Sequence, residues 1–172
     1  AFIDALTKNR YSVSYFKAGE EAATYLELKI YDRTVGFGDS ATLQALGMHE
    51  RLSKNNEIHS PMLATDEKDF LVRAAAALDT QIFITSVNAA AETGELININ
   101  GTGNRVAGSL FGHEKVYFVF SINKIEPTIE KAIWRARNIA APGNAKRLGL
   151  KTPCAKKADK CYNCKSPERI CN

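Results

Sequence analysis

The chain lacks any long apolar run and any recognisable export signal. In its 172 residues no apolar stretch approaches the roughly 20 residues that a membrane-spanning helix needs. The first residues, AFIDALTKNR, lack the basic start, the apolar centre and the small-residue cleavage site of a secretion signal. We therefore expect no membrane span and a cytoplasmic location.

Proline is scarce, glycine is at its usual level, and cysteine is not abundant enough to define a disulfide scaffold. The 11 glycines and 5 prolines are too few for a collagen-like repeat, and 45% hydrophobic residues exclude a disordered chain. A domain of this length buries about 70% of the surface of its unfolded chain, so it needs no disulfides for stability. The 4 cysteines therefore do not indicate a cystine-knot scaffold, and the composition predicts one globular domain.

Positive charge and cysteine are concentrated at the end of the chain. Residues 145–172 contain eight Lys or Arg and two acidic residues, a balance of +6, whereas the preceding residues carry −2. All four cysteines lie in this same segment, which has little apolar content. We therefore divide the domain into an α/β body, residues 1–149, and a cysteine-rich tail, residues 150–172, which needs a covalent link, a metal centre or a partner to become ordered.

Strand-like and helix-like patterns alternate before the tail. Strands are expected at residues 11–16, 34–38, 57–59, 81–86, 96–100 and 115–121, and helices at 20–29, 40–52, 66–78 and from 127 to 140. Strands that are apolar on both faces and separated by helices predict a three-layer α/β/α domain with a mostly parallel sheet. Ligands of such sheets bind beyond the carboxyl ends of the strands.

The first candidate site is the glycine turn after the strand at 34–38. Gly36 and Gly38 allow the backbone to approach a ligand closely, while Ser40 and Thr42 can hydrogen-bond an anion. Asp39 opposes a simple phosphate site, because its carboxylate repels a phosphate unless a cation or a hydroxyl intervenes. The pattern equally fits a tight strand-to-helix turn with Asp39 or Ser40 as the helix cap.

A second glycine turn connects the strand at 96–100 to a helix. It contains Gly101, Gly103, Asn104 and Arg105, and the forked guanidinium of Arg105 suits a carboxylate or a phosphate. The alternative is an ordinary turn capped by Asn104, with Arg105 on a solvated face. Together the two turns predict a site for a small anionic metabolite.

The small polar loop at residues 85–95 supplies two further candidates. Asn88 is a candidate ligand-binding residue, and Glu92 is a candidate base, nucleophile or acceptor if burial raises its pKa. The alternative for Glu92 is a turn residue before a hairpin-like bend. The histidines share no metal-ligand spacing, so we expect His49, His59 and His113 to be structural or exposed.

The cysteines follow the spacing Cys154-x6-Cys161-x2-Cys164-x6-Cys171. Four thiolates so placed can hold one tetrahedral metal ion or one [4Fe–4S] cluster, and two disulfides are the alternative. A cytoplasmic location favours the metal centre, and we expect an iron–sulfur cluster before zinc. The basic tail offsets the charge of about −2 on such a centre. Nucleic acid is an unlikely partner because the only aromatic residue of the tail is Tyr162.

Four segments of the chain closely resemble the LUD domain family of lactate-utilisation proteins: TVGFGDSATLQALG, ITSVNAAAETGELININGTGNRVAGSLFG, NKIEPTIEKAIWRARNIAAPGNAKRLGLKTPC and CYNCKSPERICN. The resemblance implies the fold of ribose-5-phosphate isomerase, glucosamine-phosphate deaminase and the CoA transferases. VGFGDSAT is similar to the phosphate-contacting turn of the isomerases, although Asp39 departs from it. ETG at residues 92–94 is similar to a glutamate-containing motif of the CoA transferases.

The resemblance also implies a role in bacterial L-lactate oxidation beside an iron–sulfur electron-transfer protein. We therefore expect a small anionic metabolite, a cluster on the four cysteines, redox partner subunits and, as a further option, a homo-oligomer. The alternatives are a stand-alone transferase or isomerase with a structural zinc, and a scaffold subunit without chemistry of its own.

Overall fold

The computed structural model of the chain describes residues 1–171. They form two compact units, each made of separate stretches of sequence. The parallel-sheet unit contains Ser14–Ser86 and Gly103–Phe120. The cysteine unit contains Ala1–Val13, Val87–Thr102 and the chain from Ser121 onward. The division at residues 149 and 150 stays a prediction.

Strands and helices alternate along the chain. The strands are β1 Thr34–Phe37, β2 Glu57–His59, β3 Ile82–Thr85, β4 Ala89–Ala91, β5 Leu96–Ile97, β6 Lys115–Phe118 and β7 Ile125–Glu126. The α-helices are α1 Phe2–Lys8, α2 Gly19–Lys29, α3 Ala41–Ala45, α4 Met48–Ser53, α5 Glu67–Ala76, α6 Asn104–Leu110, α7 Ile129–Arg135, α8 Ala141–Arg147 and α9 Pro153–Lys157. Short 3₁₀ turns occupy Pro61–Leu63 and Ile122–Lys124.

The parallel-sheet unit is built on four strands in the order β2-β1-β3-β6, all parallel. The chain leaves β1 for β2 on one side and later enters β3 on the other side of β1. Such a reversal opens a crevice at the carboxyl ends of β1 and β3, where ligands of α/β sheets bind. The predicted α/β class and mostly parallel sheet are confirmed and are consistent with three layers. The likeness to the isomerases and CoA transferases stays a prediction.

Apolar burial on both faces explains the sequence of the central strands. All four residues of β3 are buried, as are Val35 and Phe37 of β1. Ile82 and Ile84 of β3 share one core with the two β1 residues and with residues of α2, α3 and α4. A strand that is covered on both faces has an almost continuous apolar sequence, and this pattern predicts both strands.

The helix predicted at residues 40–52 is two helices. Ser40 caps α3, its Oγ accepting a hydrogen bond from the Leu43 N–H at 3.2 Å. Gly47 then adopts a left-handed conformation, with φ +61°, and α4 begins at Met48. Glycine accepts this conformation without steric cost, so it ends the first helix and redirects the chain.

The cysteine unit has a smaller sheet. β4 pairs antiparallel with β5 and parallel with β7. Ala89 and Ala91 of β4 pack against Ala132 and Ala136. The small side chains on both surfaces let the helix approach the strand closely.

One predicted strand does not form, and one strand lies where a loop was predicted. No strand forms at residues 11–16, where every side chain is at least partly exposed. Conversely, β4 lies within the loop predicted at residues 85–95. Its three alanines are all buried, and pairing with β5 and β7 compensates for the low strand propensity of alanine.

Candidate functional site

Small polar side chains follow three neighbouring strands of the parallel sheet. Ser60 follows β2, Asp39 and Ser40 follow β1, and Thr85 and Ser86 end β3. Because parallel strands run in one direction, these side chains share the carboxyl edge of the sheet. We call Gly38, Asp39, Ser40, Thr85 and Arg105 the edge site.

Arg105 lies directly against the first glycine turn. Gly103, with φ +91°, precedes α6 and so begins the helix that carries Arg105. A Cβ atom on Gly38 would lie 2.9 Å from the Arg105 Cγ and 2.5 Å from the Thr85 Oγ1. Arg105 is only 7% exposed, so its placement on a solvated face is wrong. The missing side chain of Gly38 makes room for the aliphatic part of the buried Arg105 side chain.

Thr85 carries a polar atom that the protein does not satisfy. The residue is 0% exposed. Its Oγ1 has no hydrogen-bond partner among residues 1–171. A buried hydroxyl left in this state costs about 1–3 kcal/mol, so such a group in a native structure indicates a missing ligand or water.

His49 adds a neutral imidazole near the same edge. Its Nε2 lies 2.7 Å from the Ser60 Oγ, and its ring stacks on Phe37 with the centroids 4.0 Å apart. Burial lowers the pKa of His49, and the Asp39 carboxylate opposes that shift. The hydrogen bond and the stacking agree with the predicted structural role.

The other predicted residues of the parallel-sheet unit have local roles. Gly36 lies within β1, where a Cβ atom would be 2.1 Å from the Ala77 carbonyl oxygen. The absence of a side chain at Gly36 therefore lets the end of α5 pack closely against β1. Thr42 is half-buried in α3, and Asn104 is the first residue of α6. Ligand binding by these three residues stays a prediction.

Three predicted residues belong to the cysteine unit. The Asn88 Oδ1 accepts a hydrogen bond from the Ile99 N–H at 2.8 Å. Gly101 lies against the tail, since a Cβ atom there would be 3.1 Å from the Ile170 Cα. Glu92 is exposed in the turn between β4 and β5. The burial on which the catalytic hypothesis depends is therefore absent, and the catalytic role of Glu92 stays a prediction.

The four cysteines line one pocket, together with Arg137 and Arg169. All four are free thiols, with Cys154, Cys161 and Cys164 half-buried and Cys171 exposed. Partial covering of its sulfur raises the pKa of Cys171, and the neighbouring Cys161 and Cys164 thiols raise it further. We call this group the cysteine pocket.

Two of the sulfurs already have hydrogen-bond partners. The Asn163 N–H donates to the Cys161 Sγ at 3.3 Å, in a turn where Asn163 has φ +46°. The Thr152 Oγ1 lies 3.3 Å from the Cys154 Sγ, and the same hydroxyl caps α9. Hydrogen bonds to sulfur are a means by which proteins tune cluster potentials.

The four cysteines of the pocket do not form a compact set of metal ligands. Within residues 1–171, no group of three or more His, Cys, Asp or Glu side chains is close enough together to hold one metal ion. The pocket gathers four thiols, and a metal centre on them stays a prediction.

A family model described as LUD domain matches residues 1–172, the whole chain. The chain belongs to the LUD domain family. Searches of curated proteins and of solved structures found no match. In the part of this LUD domain that the structure describes, no helix has the length and apolar character to cross a membrane.

Ser60 and Thr85 of this LUD domain were missed by sequence reasoning. Each is a single hydroxyl residue without a surrounding motif. The signal that could have found them is position alone, because both stand at the end of a predicted strand of a parallel sheet.

Proposed function

We propose that this LUD domain protein holds an iron–sulfur cluster in its cysteine pocket and binds a small anionic metabolite at its edge site. It would thereby support electron transfer in the oxidation of an organic acid such as L-lactate. The observation that carries the proposal is the gathering of all four cysteines around one pocket.

Four thiolates around one pocket suit an iron–sulfur cluster, with zinc as the alternative. A zinc ion holds each sulfur at about 2.3 Å, which draws all four close together. A four-iron cube needs the four sulfurs farther apart than a single zinc ion does. Arg137 and Arg169 at the same pocket offset the negative charge of a four-thiolate centre.

When bound, a cluster supplies one-electron transfer. The protein's part is to hold and adjust it. Cys154, Cys161, Cys164 and Cys171 would bind the irons, and the Asn163 N–H would donate to a bound sulfur. Such hydrogen bonds stabilise the more negatively charged, reduced state and so raise the reduction potential.

The edge site suits an α-hydroxy acid. The buried guanidinium of Arg105 can bind a carboxylate through two hydrogen bonds, and the Thr85 hydroxyl can donate one more. Asp39 repels a simple anion but can accept a hydrogen bond from a substrate hydroxyl. A ligand with a carboxylate and an adjacent hydroxyl therefore matches both charges at this edge.

Anaerobic purification followed by iron, sulfide and zinc analysis tests the cluster. We expect brown protein with about four irons and four sulfides per chain. Colourless protein with one zinc per chain would contradict the cluster and support the transferase-like alternative. Metal-free protein without free thiols would instead show disulfides.

Calorimetric titration with L-lactate and with inorganic phosphate tests the edge site. Arg105→Met should weaken binding of the preferred anion by about 10- to 100-fold, because a charge-assisted hydrogen-bond pair is lost. Arg33→Met is the matched control, since Arg33 is exposed and precedes β1. Equal binding by wild type and Arg105→Met would contradict the proposed site.

A further inference from the structure

The helical segment beside the cysteine pocket contains a turn of π-helix. It occupies Ala136–Ala140, between α7 and α8, and the Ala141 N–H bonds the Ala136 carbonyl. Pro142 follows directly. In a regular α-helix Pro142 would lack the N–H for the Asn138 carbonyl, and its ring would clash with that oxygen. The widened turn relieves this clash, so the chain's own sequence accounts for it.

Two side chains of the π-turn reach the cysteine tail. The Asn138 Oδ1 accepts a hydrogen bond from the Cys161 N–H at 3.2 Å, and its Nδ2 donates to the Trp134 carbonyl at 3.0 Å. Both ends of the amide are therefore engaged, which fixes its orientation. Arg137, the preceding residue, lines the cysteine pocket.

Cys161 is thus held from two sides. Asn138 binds its backbone N–H, and the Asn163 N–H binds its sulfur. π-turns within α-helices occur frequently at functional sites. Here the π-turn carries Asn138, whose neutral side chain binds the Cys161 backbone without adding charge to the cysteine pocket.

We propose that Asn138, which the π-turn carries, is a positioning residue for the Cys161-x2-Cys164 loop. The inference rests on the proposed cluster, because it assigns the loop as half of the ligand set. Asn138 orders the loop before the metal group binds, so less conformational freedom is lost on binding. Loss of the Asn138 side chain should therefore make the loop more mobile and, as a consequence, weaken the binding of the cluster.

Two variants and a control separate positioning from general stability. Asn138→Ala removes the acceptor, whereas Asn138→Asp keeps it and adds a negative charge. Asn144→Ala is the control, since Asn144 lies on α8 and bonds Arg147 at 3.0 Å without lining the pocket.

The first measurement is hydrogen exchange of the Cys161 amide in metal-free protein. We expect about tenfold faster exchange in Asn138→Ala, the effect of losing one hydrogen bond, and near wild-type exchange in Asn138→Asp and Asn144→Ala. The second is loss of iron from loaded protein to a chelator. Asn138→Ala should lose iron about tenfold faster, and Asn138→Asp should retain it with a more negative reduction potential.

Unchanged Cys161 exchange in Asn138→Ala would overturn the proposal. Equally faster exchange at the Ala91 amide of β4 would also overturn it, because it would show a general loss of stability. If the wild type takes up no iron, the proposed cluster fails. The Cys161 exchange comparison then still decides whether Asn138 positions the loop.

Discussion

Replacing Thr85 by Val should stabilise the ligand-free protein. The two side chains have nearly the same shape, and Thr85 is fully buried. Its Oγ1 has no hydrogen-bond partner in the described chain, so the substitution removes an unsatisfied polar atom and loses no bond. An unsatisfied buried hydroxyl costs about 1–3 kcal/mol, and we expect the free energy of unfolding to rise by about 1 kcal/mol.

Thr80→Val is the matched control. Thr80 stands just before β3 and is also buried, but its Oγ1 lies 3.0 Å from the carbonyl oxygens of both Ala77 and Ile82. The same substitution there should lower the free energy of unfolding by about 1–3 kcal/mol, because it leaves buried acceptors unpaired. Urea unfolding followed by circular dichroism measures both changes.

The structure requires that Thr85→Val and Thr80→Val change the free energy of unfolding in opposite directions. If Thr85→Val destabilises the protein as much as Thr80→Val, the Thr85 hydroxyl is satisfied in the fold and our reasoning is refuted. Titration with L-lactate adds a second readout. A stabilised Thr85→Val variant that binds the anion less tightly would show that the hydroxyl is kept for a ligand.

Two further predictions use the same unfolding assay. Gly38→Ala should lower the free energy of unfolding by about 1–3 kcal/mol, because the added Cβ would overlap Thr85 and Arg105. Gly143→Ala should raise it by up to about 1 kcal/mol, because Gly143 lies in a helix with open space around it. Equal effects of the two substitutions would contradict the packing at Gly38. Burial lowers the pKa of His49, so the unfolded chain binds more protons below about pH 6.5 and the free energy of unfolding should fall from pH 7 toward pH 5. His49→Gln should flatten that dependence, and an unchanged pH profile would show that His49 does not cause it.

The sequence predicts best where local pattern and packing agree. The strands β1 and β3 are apolar because both faces are covered, and the pattern shows this directly. The helix after Asp66 is equally local, since the Asp66 Oδ1 accepts the Asp69 N–H at 2.8 Å. These features require no knowledge of distant parts of the chain.

Features that depend on long-range contacts escaped prediction. The alanines of β4 form a strand only because β5 and β7 pair with it. The burial of Arg105 depends on the space above Gly38, and the missing partner of Thr85 becomes visible only when its neighbours are placed. The cysteine spacing predicted a shared site, whereas Asn138 had no motif to distinguish it.

The central claim is that the cysteine pocket carries an electron-transferring cluster. Counting the electrons that the anaerobically purified protein accepts in a coulometric titration tests it most directly. A cluster should take up about one electron per chain reversibly, with loss of visible absorbance. Uptake of no electrons would indicate zinc, and about four electrons would indicate two disulfides at two electrons each. Either of these results would contradict the account.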